Sequence, residues 1–303
     1  MLGTRGSDLA RAQTALVLNA LNAEARVEII RTSGDERAGV SPPVLDRQAG
    51  RKGMFTAEIE RALLDGRIDV AVHSAKDLPS DATLGLEICA ALPRAAVEDV
   101  LITKGAGELA ALPDDATVAT GSVRRQHQLR FVRPDLNIAD LRGNVPTRLR
   151  KLSANAWEAI ILARAGLQRL GFHCDSGKME FEGAKFGTSL LPTDDFLPAG
   201  GQGIVALQIR SDDDETRRII GSLNHQPSLL CLRAEREFLR LLQGDCGTPV
   251  GVLATLRDAV MEIRAQIFDD GRAEPRVAAL RSETSLVEPE ALAAQLFKAI
   301  NGR

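Results

Sequence analysis

Short apolar runs alternate with segments of helical period along the first two-thirds of the chain, and this alternation restricts the fold more than any other feature. A helical pattern at Leu9–Asn22 precedes a predicted strand at Arg26–Arg31, and another at Thr56–Leu64 precedes a predicted strand at Ile68–His73. Alternating strands and helices are typical of parallel or mixed sheets that helices cover on both faces. We therefore predict an α/β fold.

A second series of the same kind starts near Glu98 and predicts another α/β unit. Its predicted elements are strands at Val100–Thr103, Thr117–Thr120, Ile138–Asp140 and Ala159–Ala163, and helices after Ser122, Val145 and Arg164. The segment His173–Phe196 contains glycines and has no clear period, so we predict a loop or return linker there.

The last third of the chain predicts a small α+β domain. The run GQGIVALQIR is one more apolar strand, and a long helix is predicted over Pro227–Leu242. Strands at Val250–Leu256 and Met261–Phe268 follow, and a closing helix lies around Pro289–Ile300. Two adjacent strands flanked by helices fit a separate α+β unit.

Composition narrows the class of protein. With 303 residues, of which 44% are hydrophobic, the chain can form two or three domains with ample cores. Lys and Arg number 38 against 41 Asp and Glu, for a net charge of -3, which disfavours diffuse binding of duplex nucleic acid. No apolar run reaches the roughly 20 residues of a membrane span, and no secretion signal is visible, so we expect a soluble, cytoplasmic protein.

The four cysteines do not predict a metal site or disulfides. Cys89, Cys174, Cys231 and Cys246 form neither a CxxC motif nor a His/Cys spacing of the kind that binds zinc. We therefore expect no structural metal and no disulfide bonds.

Arginines cluster where predicted strands end and helices begin. Arg124 and Arg125 lie in TGSVRRQHQL, and Arg142 and Arg148 lie in LRGNVPTRLRKL. Helix amides and guanidinium groups at such an edge of an α/β sheet can hold carboxylates or phosphates. The alternative is a solvated helix face with intrahelical ion pairs, but acidic partners are sparse in this stretch. Uncompensated arginines favour a polyanionic ligand.

Two further motifs place charged groups beside predicted elements, one directly after a strand and the other at the start of a helix. In VHSAKDLPS, Lys76 could bind a ligand carboxylate and Asp77 could stabilise a developing positive charge; alternatively, Asp77 caps a turn and Lys76 is solvated. In GTRGSDLA, Arg5 and Ser7 could receive an anion, although Ser7 could equally cap the helix that follows. These alternatives are not exclusive.

Cys246 and Gln202 lie in glycine-rich loops. Cys246, in GDCGTPVG, is a candidate nucleophile or attachment point because the glycines beside it allow close approach; the alternative is a small residue in a tight turn. Gln202, in GGQGI, lies at a predicted hinge or crossover between domains. No nucleotide-binding fingerprint is present.

Taken together and in order, these motifs resemble the porphobilinogen deaminase family over essentially the whole chain. The matching runs are GTRGSDLA, KGMFTAEIE, VHSAKDLPS, GSVRRQHQL, LRGNVPTRLRKL, ILARAGLQRLG, LPAGGQGI and GDCGTPVG. The resemblance implies two type II periplasmic-binding-like domains around a cleft, plus a small α+β C-terminal domain. It places domain 1 at residues 1–93 and 203–221, domain 2 at 98–197, and domain 3 at 225–303.

The resemblance also implies a chemistry. Cys246 would carry a dipyrromethane cofactor through a thioether, and porphobilinogen units would be added to it head to tail with loss of ammonia, giving a linear tetrapyrrole. Asp77 would be catalytic, and the enzyme would work as a monomer without a metal. The implied cofactor-binding residues are Lys76, Ser122, Arg124, Arg125, Arg142 and Gln202, and the implied substrate-binding residues are Arg5, Ser7, Thr120, Arg148, Arg169 and Phe55, with Lys52 and Phe55 in a mobile loop.

Some positions depart from the family pattern. Met1–Gly3 leaves almost no room for the usual first strand, while Gly121 and Gly200 stand where the family often has Ser and Val. Two other classes of protein remain possible. A non-catalytic two-domain anion-binding protein would share the arginines but would have no use for Cys246 and Asp77. A nucleic-acid-binding protein is disfavoured by the acidic balance and by few aromatic stacking surfaces.

Overall fold

The chain folds around three sheets, as a computed structural model shows. The structure describes residues 1–21, 24–32, 56–105, 107–244, 248–269, 271–272 and 274–302. Two sheets are mixed and lie in α/β layers, and the third is antiparallel. The predicted fold class is confirmed.

The first sheet has the strand order β2-β1-β3-β11-β4. Its strands are β1 (Leu2–Arg5), β2 (Val27–Ile30), β3 (Val70–Ser74), β4 (Leu86–Ala91) and β11 (Val205–Arg210), and its helices span Asp8–Leu21, Ala57–Leu64 and Asp214–Gly221. Strand β1 is parallel to β2 and β3, whereas β11 is antiparallel to β3 and β4. The chain therefore leaves this sheet after β4 and returns to it with β11.

Alternation along β3 explains why helices cover both faces of this sheet. Val70 and Val72 pack on one face with Val17 of the first helix, and Ala71 packs on the other with Ile59. Successive strand residues point to opposite faces, so a fully apolar strand requires cover on both.

A short strand does form at the start of the described chain, but it includes Thr4 and Arg5, so only Leu2 and Gly3 of it precede them. Leu2 is buried, and β1 pairs with strands on both sides. Gly3 is required because a Cβ there would lie 2.3 Å from Cδ1 of Ile68.

The second sheet has the order β7-β6-β8-β5-β10-β9. Its strands are β5 (Asp99–Thr103), β6 (Thr117–Ala119), β7 (Asn137–Ala139), β8 (Ala159–Ala163), β9 (Lys178–Phe181) and β10 (Ala184–Leu191), and its helices span Val123–Val132, Val145–Ala154 and Arg164–Arg169. Strand β6 runs parallel to β7 and β8, so the strand ends that precede helices share one edge.

The predicted loop or linker at His173–Phe196 is wrong, because the segment contains the antiparallel hairpin β9–β10. Glu182 and Gly183 form its turn, with φ of 49° and 80°. Met179 and Phe186 are buried in the core of the second sheet. The hairpin lies at the edge of the sheet, and polar residues and a glycine interrupt its apolar positions, so no clear period was visible.

The third sheet is antiparallel, in the order β12-β13-β14. Its strands are β12 (Val250–Arg257), β13 (Val260–Ile267) and β14 (Arg276–Glu283), and two helices, Gln226–Leu241 and Pro289–Ile300, pack on it. Phe238, Ile263 and Leu296 are fully buried between the sheet and these helices. The edge strand β14 was not predicted because it alternates half-buried and exposed residues.

Two crossovers connect the first and second sheets, one after β4 and one before β11. They touch where the backbone N–H of Ala95 donates to the Gly203 carbonyl, 3.0 Å away. Gly203 has a φ of 86°, and a Cβ there would lie 2.5 Å from the Ala95 carbonyl oxygen. The domain boundaries given above stay a prediction. Within the described ranges, we find no helix with the length and apolarity that a bilayer span requires.

Candidate active site

Arg5, Ser7 and Asp77 come together at the carboxyl end of the first sheet. Arg5 ends β1, and Asp77 lies in a turn of 3₁₀ helix, Ala75–Asp77, directly after β3. Ser7 precedes the first helix, and its Oγ accepts a hydrogen bond of 3.3 Å from the backbone N–H of Ala10. Adjacent parallel strands therefore deliver three of the predicted residues to one place.

These residues surround a small cavity of about 50 Å³. Its lining consists of Arg5, Ser7, Leu9, Ala10, Gln13, Thr56, Val72, His73, Ser74 and Asp77. A guanidinium nitrogen of Arg5 lies 3.7 Å from a carboxylate oxygen of Asp77. The cavity thus combines one cation, one carboxylate and several neutral polar groups.

Lys76 precedes Asp77 and faces the crossovers. Its Nζ donates to Oε1 of Gln202 at 3.5 Å. Burial lowers the pKa of Lys76 to about 8, and the positive charge of Arg125 adds to the effect. A ligand carboxylate would relieve this penalty.

Arg124 and Arg125 occupy the first turn of the helix Val123–Val132, which Ser122 caps by accepting from the N–H of Arg125. Both side chains are buried, and their guanidinium groups bind the carboxylate of Asp99 at 2.8 and 2.7 Å. The interpretation of these arginines as uncompensated is therefore wrong. Their counter-charge is the carboxylate of Asp99 on β5, which lies outside the sequence around the two arginines.

Asp99 is fully buried and strongly acidic. Burial alone would raise the pKa of Asp99, but the charges of Arg124 and Arg125, with hydrogen bonds from Arg125 and Gln202, bring it well below its usual range. The carboxylate of Asp99 forms ion pairs with two guanidinium groups. In addition, Nε of Arg124 is buried without a hydrogen-bond partner among the described residues. The pair therefore keeps donor capacity for another acceptor. Its role in holding cofactor stays a prediction.

Arg142 and Arg148 flank the start of the helix Val145–Ala154. Nε of Arg142 lies 3.1 Å from Asp140, and Nε of Arg148 donates to the Gly143 carbonyl. Burial lowers the pKa of Arg148 to about 10, and the charges of Arg125 and Arg142 add to the effect. These like charges lie close enough to disfavour one another, which is expected of a site that binds anions.

Thr120 lies between the two arginine clusters. It is buried, and its Oγ1 accepts from the backbone N–H of Ser122 at 3.3 Å. A Cβ at Gly121 would lie 2.4 Å from the Leu141 carbonyl oxygen, so a side chain there would force the strand ends apart. The departure from the family pattern at Gly121 therefore fits the local packing.

The side chains of Gln202 and Arg169 donate hydrogen bonds to backbone carbonyls of the crossovers. Nε2 of Gln202 donates to the Val97 carbonyl at 2.7 Å and to Asp99 at 2.9 Å. Arg169 donates to the Gly203 carbonyl at 2.6 Å, and burial lowers its pKa to about 10. The structure therefore gives both residues contacts between the sheets, and their ligand-binding roles stay predictions.

Three predicted residues lie outside the described part of the chain: Cys246, Phe55 and Lys52. The motif VHSAKDLPS includes His73 and Ser74, but they were assigned no role. Sequence reasoning missed other polar residues that the fold brings to the site: Gln13, Glu60, Asp99 and Gln208. Asp99 carried a usable signal, since an acidic residue opening the apolar run DVLIT is unusual.

The site contains more cations than carboxylates. Among the described residues, Lys76, Arg124, Arg125, Arg142 and Arg148 interact with the carboxylates of Asp77, Asp99 and Asp140. No cluster of His, Cys, Asp and Glu within the described ranges could hold a metal ion. The donor set therefore suits an organic polyanion.

Two mixed sheets that two crossovers join, with cationic residues at their strand ends, define an α/β protein. Among solved structures, the methionine-binding protein MetQ superposes with a TM-score of 0.42 at 13% identity, over 73% of this chain and 88% of that chain.

Sequence comparisons identify the family. The model for "Porphobilinogen deaminase, dipyromethane cofactor binding domain" matches residues 1–218, and that for "Porphobilinogen deaminase, C-terminal domain" matches residues 229–301. The chain therefore belongs to the porphobilinogen deaminase family and is a transferase.

Curated relatives match over most of their length. The porphobilinogen deaminase of Moorella thermoacetica is 39% identical over 100% of this chain and 93% of that protein. The enzyme of Roseiflexus sp. is 43% identical over 90% and 87%, and that of Nitrobacter winogradskyi is 46% identical over 82% and 77%.

Proposed function

We propose that the chain is a hydroxymethylbilane synthase. It condenses four porphobilinogen molecules head to tail onto a dipyrromethane primer linked to Cys246, releases ammonia at each step, and hydrolyses the product to the linear tetrapyrrole hydroxymethylbilane. One observation carries the proposal. Asp77 and Arg5 line the same cavity, and it lies beside strand ends where cationic side chains outnumber carboxylates. We propose further that the enzyme works as a cytoplasmic monomer without a nucleic-acid partner.

The charge of the substrate fits the charge of the site. Each porphobilinogen unit carries an acetate and a propionate, so the growing chain gains two carboxylates per step. Buried guanidinium groups bind carboxylates through short, charge-assisted hydrogen bonds, often two at a time. Arg148, whose charge is disfavoured by burial and by its neighbours, would gain from such a partner.

The residues present also fit the cofactor. Nε of Arg124 is a buried donor that lacks a partner among the described residues, and Lys76 is a desolvated cation beside it in the charge network. We propose that Lys76, Ser122, Arg124, Arg125, Arg142 and Gln202 hold the cofactor's carboxylates. When bound, dipyrromethane supplies the pyrrole carbon from which the chain grows.

Asp77 would stabilise positive charge on the substrate. As ammonia leaves the aminomethyl group, positive charge spreads over the pyrrole ring, and a fixed carboxylate lowers the energy of that state where water screens poorly. Arg5 lies 3.7 Å from Asp77 and can orient its carboxylate. Arg5, Ser7, Thr120, Arg148 and Arg169, with Phe55, would bind the substrate.

Incubation of the purified chain with porphobilinogen tests the proposal. We expect one ammonia per porphobilinogen consumed, and an intact mass that includes a dipyrrole on the wild type but not on Cys246→Ser. Reversible binding of porphobilinogen without ammonia release would instead support the non-catalytic anion-binding protein. A wild-type mass without any adduct, together with no turnover, would refute the synthase assignment.

A further inference from the structure

A chain of buried polar residues lies behind the cavity, and the function proposed above does not use it. His73 Nε2 is 3.0 Å from Oε1 of Gln208, and Nε2 of Gln208 donates to Glu60 at 2.9 Å. The other carboxylate oxygen of Glu60 accepts from the hydroxyl of Thr83 at 3.0 Å. The chain crosses from β3 to β11 and then to the helix Ala57–Leu64.

These contacts determine which nitrogen of His73 carries a proton. The amide nitrogen of Gln208 donates to Glu60, so its carbonyl oxygen, which can only accept, faces His73. Nε2 of His73 must then donate. In a neutral ring, Nδ1 is consequently a bare acceptor.

His73 lines the same cavity as Asp77. Its Nδ1 makes no hydrogen bond to any residue that the structure describes, and it is not among the sealed, unpartnered atoms found there. By contrast, Gln13 and Ser74, which also line the cavity, satisfy each other through hydrogen bonds of 2.8 and 3.0 Å. Nδ1 is thus an acceptor with unused capacity on a residue that lines the cavity together with Asp77.

The surroundings keep the ring neutral. The pKa of His73 is lowered to about 4, mainly by burial. The hydrogen bond to Gln208 raises this pKa, whereas the positive charges of Arg236 and Arg5 lower it. Arg236 comes from the helix Gln226–Leu241, Arg5 from β1, and the carboxylate of Glu60 from the opposite side of the Gln208 amide.

We propose that His73 accepts, through Nδ1, a hydrogen bond from an N–H group of the substrate, and that Gln208 and Glu60 are positioning residues that fix the tautomer for this task. The inference rests on the proposed function, because that function supplies a substrate with two kinds of N–H donor. These donors are the aminomethyl group and the pyrrole nitrogen. Neither requires a charge on the acceptor.

Two amide substitutions at His73 separate binding from structure. The amide of glutamine reaches the position of Nε2, whereas that of asparagine reaches the position of Nδ1. His73→Gln should therefore keep the bond to Gln208 and the unfolding temperature, yet lose about tenfold in kcat/KM, as one lost hydrogen bond predicts. His73→Asn should lose stability but keep kcat/KM within about threefold of the wild type.

The opposite ranking, or wild-type kinetics in both variants, would overturn the proposal and leave His73 a structural residue. Turnover by the wild type distinguishes a failure of the proposed function from a failure of the proposed role of His73. If the wild type does not consume porphobilinogen, the proposed function fails; if it does while His73→Gln is unimpaired, only this inference fails.

A spectroscopic measurement needs no turnover. The chain has four histidines, so their ring nitrogens can be assigned in a ¹⁵N-labelled sample. We expect the Nε2–H tautomer for His73, and a mixture of tautomers in Gln208→Leu. A wild-type ring with the proton on Nδ1 would contradict the proposal.

Two ligands identify the donor. If the pyrrole nitrogen is the donor, both porphobilinogen and an analogue with methyl in place of aminomethyl will shift the Nδ1 resonance of His73. If the aminomethyl group is the donor, only porphobilinogen will shift it. If neither ligand shifts it, the proposed hydrogen bond does not exist.

Discussion

Removal of the Asp99 charge should destabilise the protein far more than removal of a surface charge from the same site. Asp99 is fully buried and binds Arg124, Arg125 and Gln202, so Asp99→Asn leaves two buried guanidinium groups without a counter-ion. Loss of one partner from a buried ion pair costs about 3–5 kcal/mol, because the other charge stays buried and unpaired. We expect the free energy of unfolding to fall by about that amount.

Asp140→Asn is the matched control. Asp140 pairs with Arg142 at 3.1 Å, but its side chain is 40% exposed. Solvent screens such a pair, so the control should lose about 1 kcal/mol or less. Urea unfolding followed by circular dichroism measures both variants. Equal losses would refute the argument that burial gives the Asp99 pairing its weight.

The pH dependence of this contribution has a definite sign. The pKa of Asp99 is depressed in the folded state, so its stabilisation is fully present above the unfolded value near 3.9 and is lost as the pH falls through the folded value. The difference between wild type and Asp99→Asn should therefore be constant from about pH 5 to pH 6, below the range in which Lys76 titrates. A difference that varies within that range would contradict the assignment.

Other substitutions test the ligand site and the crossover. Arg142→Leu should lower kcat/KM by about 10- to 100-fold and leave shorter covalent adducts by intact mass, because it removes one charge-assisted bond. Arg150→Leu, exposed on the helix that follows Arg142, should not. Gly203→Ala should cost about 1–3 kcal/mol of unfolding free energy, since φ is 86° and the new Cβ would meet the Ala95 carbonyl; Gly221→Ala, with open space around it, is the control. The yield of the dipyrrole adduct should fall as the pH rises through about 8, where Lys76 loses its charge, and Lys76→Arg should remove that dependence when the adduct is followed by intact mass.

The location of the site followed from local sequence patterns. Arg124 and Arg142 each come after a short apolar run, and in an α/β sheet such positions share the edge where ligands bind. The structure places both at that edge because β6 and β7 are parallel neighbours. The position of each arginine at this edge could therefore be predicted from the apolar run that precedes it.

The pairing of charges was not predictable in the same way. Asp99 lies 25 residues before Arg124, on a strand that runs antiparallel to its neighbours β8 and β10. Local spacing gives no information about which strands become neighbours, so the arginines looked uncompensated. The same reason hid His73 and Gln208, which are 135 residues apart and meet because β11 returns to the first sheet.

Gln202 shows why binding and structural roles cannot be assigned separately here. Its amide group contacts Val97 and Asp99 at 2.7 and 2.9 Å, but Lys76 only at 3.5 Å. The longest contact is the weakest, so a ligand carboxylate that binds Lys76 would compete with the Lys76 contact while leaving the other two intact. Cofactor binding would then weaken the hydrogen bond between Lys76 and Gln202, while the hydrogen bonds from Gln202 to Val97 and Asp99 stay in place. A residue predicted both as a ligand contact and at a crossover therefore connects the ligand's charge to the contact between the two sheets.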